Sequence, residues 1–183
     1  MINVSDEFKQ LMTERQDFKC NAEVTLANGT VLPLGEDDFS IDNNSLVDAA
    51  GANTIPLGVA LSRNVQLEIM NDDDHLSNYD FFGAKIRLYL TFELSETTEK
   101  IEYGTFTVTQ PETYGSVVTI VGYDDMYKAD KAYSTALTFP ATAKSVLIDS
   151  CDTCGILIGD SNFLHNDFQI PTMPSSEYTH RQI

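Results

Sequence analysis

Cys151-Asp152-Thr153-Cys154 places two thiols at a spacing that can hold half of a zinc site or cycle through a disulfide. Redox pairs of the thioredoxin type sit where a strand turns into a helix N-terminus, because that end lowers the thiol pKa. Here the pair falls at the close of a helical pattern, no second Cys-x-x-Cys occurs, and both thiols share an apolar stripe with Val146 and Leu147. The sequence therefore predicts free, buried thiols without metal; on the opposite reading, His165 would complete a zinc site. Asp72-Asp73-Asp74 resembles the opening of a calcium loop, but the glycine at the sixth position and the glutamate at the twelfth are missing. It reads as a solvated turn. His75, His165 and His180 are scattered, with no Ser or Cys in an elbow or triad context, and read as surface or capping residues. No phosphate-cradling glycine loop occurs. The expectation is no catalytic constellation, no cofactor, no metal and no enzyme.

Charge carries more information. Eleven Lys+Arg against 28 Asp+Glu give a formal charge of -17, which repels nucleic acid and anionic membrane. No Lys or Arg occurs between Asn21 and Ser62, or between Ser145 and His180. The first of these runs holds Glu23, Glu36, Asp37, Asp38, Asp42 and Asp48, the candidate functional carboxylates; a merely solubilising surface is the competing reading. No apolar run approaches the roughly 20 residues of a membrane helix, and Met1 to Gln10 is too polar for a signal peptide. Three cysteines, an odd number, do not make a secreted disulfide framework, so a reducing compartment is expected.

The elements that must position these residues are mainly strands. Lys85–Leu94 alternates apolar and polar side chains, Thr105–Thr109 is rich in β-branched residues, and Ser116–Tyr123 holds a nearly unbroken apolar run. They predict three consecutive antiparallel strands that bury Ile86, Leu88, Leu90, Phe92, Phe106, Val108 and Ile120. Phe18 to Leu32 alternates around Asn28-Gly29, a hairpin signal of the type I′ kind, in which both turn residues take positive φ. Val65–Ile69 reads as a further strand, and residues 36 to 62 as irregular β with a turn at Ile55-Pro56-Leu57-Gly58. Ser5 caps a helix over about residues 6 to 15, and Pro140 opens a second that Gly155 ends. From Ser175 the chain looks like the first turns of another helix, as if it were a fragment of a longer polypeptide. The expected fold class is mainly β (α+β): an antiparallel β-barrel or strongly curved sheet with a few short flanking helices. Residues 1–135 form that domain, and 136–183 begin a small α/β segment.

The succession Ile55-Pro56-Leu57-Gly58, Val65 to Asp72, Phe81 to Ile86, Tyr103 to Val108 and Val121 to Met126 resembles the N-terminal part of phage and prophage tail-hub proteins. These include the baseplate hub of contractile tails and the tail-associated proteins of long flexible tails. Ala143 to Ile156 and Tyr178 to Ile183 are similar to that family's next segment. The resemblance implies a β-barrel tube domain and a virion structural role. The protein would be made in the bacterial cytoplasm from a phage or prophage gene and built into the tail. Trimers of such hubs form a ring that continues the tail tube and meets the spike or fibre, so tail tube, spike or fibre proteins are the implied partners. The family's second tube domain is missing here. A carbohydrate-binding or adhesin module of the tail tip is the alternative. On the hub reading the six carboxylates face a lumen, where they would keep passing DNA from sticking.

Overall fold

The structure, a computed structural model, describes residues 4–11, 13, 18–49, 61–94, 97–110 and 114–183. The expected Ile55–Gly58 turn lies outside them. Two compact units divide the described chain: Met1–Val47 with Asn64–Asp124, and Asp48–Arg63 with Asp125–Ile183.

Seven strands form one antiparallel sheet: β1 (Lys19–Thr25), β2 (Val31–Leu34), β3 (Ser45–Ala49), β4 (Ser62–Met70), β5 (Lys85–Glu93), β6 (Thr98–Val108) and β7 (Val117–Tyr123). Their order is β2-β1-β5-β6-β7-β4-β3. The β5-β6-β7 meander is thus the middle of the sheet, as the alternation predicts, with β1 paired to β5 and β4 to β7. Of the two expected forms, barrel or sheet, a sheet is present: its end strands are β2 and β3, and no closed barrel occurs among the described residues.

Strand periodicity sends alternate residues to one face. Ala22 and Val24, Ile86 and Leu88, Phe106 and Val108, Val118 and Ile120, and Val65, Leu67 and Ile69 all enter one core cluster. Leu34 of β2 belongs to it too, so strands far apart in the sheet share a core. Leu76 and Phe81, from the connection between β4 and β5, complete the cluster.

Leu90 departs from the expected pattern and is only half-buried. A bulge is the cause: Leu88 pairs with Gly104 but Tyr89 with Glu102, so Tyr103 is an extra residue on β6, and Gly104 takes φ 145°. Beyond the bulge Leu90 packs on a smaller cluster of Phe8, Phe92 and Ile101. Phe8 comes from α1 (Asp6–Leu11), and residues 12, 14 and 15 of the expected helix lie outside the described residues. Its ring meets that of Phe92 edge-on at 4.7 Å, and Ser5 Oγ accepts from Phe8 N–H at 3.0 Å as the cap. The β1–β2 hairpin forms where Asn28-Gly29 predicts it, but the turn differs. Among turn residues only Gly29 takes positive φ (87°), Gly29 N–H donates to Leu26 O at 2.9 Å, and Asn28 Oδ1 accepts from Thr30 N–H. That is a type I turn closed by a left-handed glycine, the three-residue alternative to type I′.

In the second unit, β8 (Ala141–Thr142) pairs with β9 (Gln169–Ile170), and α2 spans Ala143–Cys154. The N-cap is Thr142, whose hydroxyl accepts from Ser145 N–H at 3.1 Å, so Pro140 lies before a short strand and does not open the helix. Gly155, at φ 66°, ends α2, and Ile156 N–H returns to Cys151 O at 2.8 Å. The helix expected from Ser175 does not form. Its backbone is engaged elsewhere: Tyr133 N–H donates to Tyr178 O at 2.7 Å, His180 N–H to Lys131 O and Arg181 N–H to Ala129 O, both at 3.0 Å. Those bonds replace the i→i−4 bonds a helix requires. Among the described residues no helix is long and apolar enough to cross a membrane.

Candidate assembly surface

An exposed strand edge is the most reactive backbone feature of the first unit. β6 pairs with β5 along its length, from Lys85↔Thr107 to Glu93↔Thr98, but with β7 only through Thr107 and Val108. On that other side, Thr98–Glu102 and Gly104–Phe106 therefore have no strand partner among the described residues. Most of those residues are solvent-exposed. An edge of this length, presenting unpaired N–H and C=O groups, is a template for pairing with another strand. Side chains tie its inner side to β5 and to the residue before α1: Arg87 reaches Glu102, Lys100 lies 3.5 Å over the Tyr89 ring, and Glu99 accepts from Ser5 N–H at 2.9 Å. At one end of the sheet, Pro33 on β2 blunts the corresponding edge, because proline has no N–H to offer. Charge and aromatic character masked β6 in the sequence, although Thr97, Thr98, Ile101 and Tyr103 supply the β-formers that could have extended it.

The six candidate carboxylates are not all brought together. Glu36, Asp37 and Asp38 form one exposed 3₁₀ turn after β2, tied at Asp38 Oδ2 by Gly35 N–H at 2.7 Å. This turn lies near the start of β1. Lys19 there is held above its ordinary pKa, chiefly by its 2.7 Å hydrogen bond to Glu93 and further by the charges of Glu36 and Asp37. Glu23 sits within β1, half-buried and registered against Arg87 of β5. Asp42 is on an exposed bend. Asp48 belongs to the second unit and is taken up by Arg63, whose Nε stands 2.6 Å from its Oδ1.

The remaining chemical candidates fall into place differently. Cys20, Cys151 and Cys154 are free; Cys154 is buried, whereas Cys151 is half-buried rather than enclosed. Burial pushes the Cys151 thiol up, and the neighbouring Cys154 and Asp152 add to the shift. His165 sits on an exposed turn at φ 63°, and no cluster of three potential metal-binding side chains occurs among the described residues. Asp73 engages His75 in the turn after β4, which holds its carboxyl below the usual range. His180 is the exception to the surface reading, being only 7% exposed. Its ring packs edge-on to Tyr133 at 5.0 Å, and its Nε2 accepts from Ser134 N–H at 3.4 Å. Nothing in the local sequence marks it, because its burial depends on the bridge between Ala132 and Thr179.

Compared with models of known protein families and with curated proteins, the sequence matches none.

Proposed function

We propose that this chain is a structural subunit of a phage or prophage tail, a hub component that joins its neighbours into a ring continuing the tail tube toward the spike or fibre. The observation that carries the reading is the side of β6 turned away from β5, where Thr98–Glu102 and Gly104–Phe106 have no strand partner among the described residues and are mostly exposed. This edge carries no proline, and on either side of the bulge at Tyr103 its extended runs are suited to continuing a sheet between subunits. In the ring, sheets joined in this way would close the barrel that one chain leaves open. The order of the strand-and-turn motifs quoted above supports the same reading, as does an acidity that keeps DNA from adhering to a conduit.

Sedimentation and electron microscopy across protein concentration test it. Discrete rings are expected from the unaltered chain. Thr98→Lys and Thr105→Asp place charges along the edge while facing Glu93 and Arg87 across the β5 register, so the fold is kept and the rings are lost. A chain that stays monomeric at every concentration, or edge variants that assemble unchanged, would overturn the proposal.

A further inference from the structure

We propose that the second unit holds a small-molecule site beside α2, whose ligand is a neutral, largely apolar molecule with one oxygen acceptor, gripped by Ser150 and His180. Two adjoining hollows, of about 270 and 380 Å³, share these two residues together with Leu147 and Ile183. Val146, Phe163 and Ile170 give the first an apolar wall. Ser150 and His180 are each only 7% exposed, and neither Ser150 Oγ nor His180 Nδ1 has a hydrogen-bond partner among the described residues.

That pairing is unusual on physical grounds. A serine inside a helix commonly turns its hydroxyl back to a carbonyl of the preceding turn, and Ser150 does not. Because His180 Nε2 accepts from Ser134 N–H, the neutral ring carries its proton on Nδ1, which is then a donor. The edge-on contact with Tyr133 fixes the ring in that attitude. Two buried donors without acceptors destabilise a closed interior, whereas one carbonyl or amide oxygen entering the hollow could satisfy both. An anion is disfavoured: the chain carries -17, and Arg181, which lines the second hollow, is paired with Asp130. An apolar enclosure with few convergent polar groups is the usual form of a small-ligand site. This inference is independent of the tail reading.

Benzamide, benzoate and toluene, titrated into the full chain and followed through the methyl NMR signals of Val146 and Leu147, test it. Benzamide, with about nine non-hydrogen atoms, is within reach of such a hollow. Saturable benzamide binding is expected, with toluene and benzoate each weaker by about fivefold or more, the worth of one neutral hydrogen bond. Ser150→Ala and His180→Phe should each weaken benzamide by about the same factor and leave toluene unchanged. His180→Phe keeps an aromatic ring against Tyr133, and Ser150→Ala keeps the helix, so folding is preserved in at least one variant. No saturable shift with any probe overturns the site. Equal binding of toluene, or benzamide binding indifferent to both substitutions, overturns the assigned grip. Tighter binding of benzoate overturns the neutral ligand.

Discussion

Gly122 on β7 faces Phe106 on β6 so closely that a Cβ at position 122 would stand 3.1 Å from the Phe106 Cβ and 3.2 Å from Ile86 Cδ1. The Ile86 methyl can swing aside, but the Phe106 Cβ is fixed to its backbone in the best-buried part of the core. Gly122→Ala should therefore destabilise by about 1–3 kcal/mol, the usual result of overpacking. Urea unfolding measures it, and an unchanged midpoint would show that β6 and β7 are not held at this distance.

Phe106 and Leu90 separate the two clusters of the first unit. Phe106→Ala should cost about 3–5 kcal/mol, because a fully enclosed ring leaves a cavity. Leu90→Ala should cost less, about 1–2 kcal/mol, since that side chain is only partly withdrawn from water. Equal losses in calorimetry would mean the bulge at Tyr103 does not divide the strand.

Gly29 tests conformation in place of space. A Cβ there meets nothing within 4 Å, yet φ is 87°. Gly29→Ala should cost about 1–2 kcal/mol from backbone strain alone. Asn28→Ala, which removes the acceptor for Thr30 N–H, should cost about 0.5–1.5 kcal/mol. A neutral Gly29→Ala in thermal unfolding would contradict the left-handed turn.

The strands were legible where one face is apolar and the other polar, as in β1, β4 and the first half of β5, or where a β-branched apolar run marks them, as in β7. The N-terminal half of β6 was not, because it carries Glu99, Lys100 and Glu102 and its only enclosed member there is Ile101. The place of the hairpin was legible and its turn type was not, since Asn28-Gly29 is compatible with both turn geometries and loop length decides between them. The C-terminal residues looked helical locally, and pairing with residues 129–133 overrode that tendency. The carboxylates could be counted but not placed: Asp48 has Arg63 as its partner only through the geometry of β3 and β4.

Cysteine reactivity should follow burial. Iodoacetamide should label Cys154 most slowly, because it is enclosed, and Cys151 more slowly than a free thiol at neutral pH, because its pKa is raised. A raised folded pKa contributes stability in full below the ordinary thiol range and loses it as pH rises through the shifted value. Cys151→Ser should accordingly flatten the alkaline side of the stability profile. Fast neutral labelling of Cys151, or an unaltered alkaline limb, would refute the assignment.

The acidic turn offers a test of assembly electrostatics. If Glu36, Asp37 and Asp38 line a shared lumen, low salt should weaken the ring and neutralising all three to amides should remove that dependence. Asp48→Asn should instead act locally, by leaving Arg63 without its carboxylate. Sedimentation at two salt concentrations distinguishes them, and an identical salt response in the triple variant would take the turn out of the lumen.

The nesting of the sheet has a kinetic consequence. Beyond its hairpin with β2, β1 finds its second partner in β5, and beyond β3, β4 finds its second partner in β7, so both early pairs wait for strands made late. A chain emerging from the ribosome can close the β1–β2 hairpin at once, but its apolar side has nothing to rest on until the meander appears. Folding should therefore be slow for a domain of this size and begin at the β5–β6 hairpin, whose pairing is local and longest.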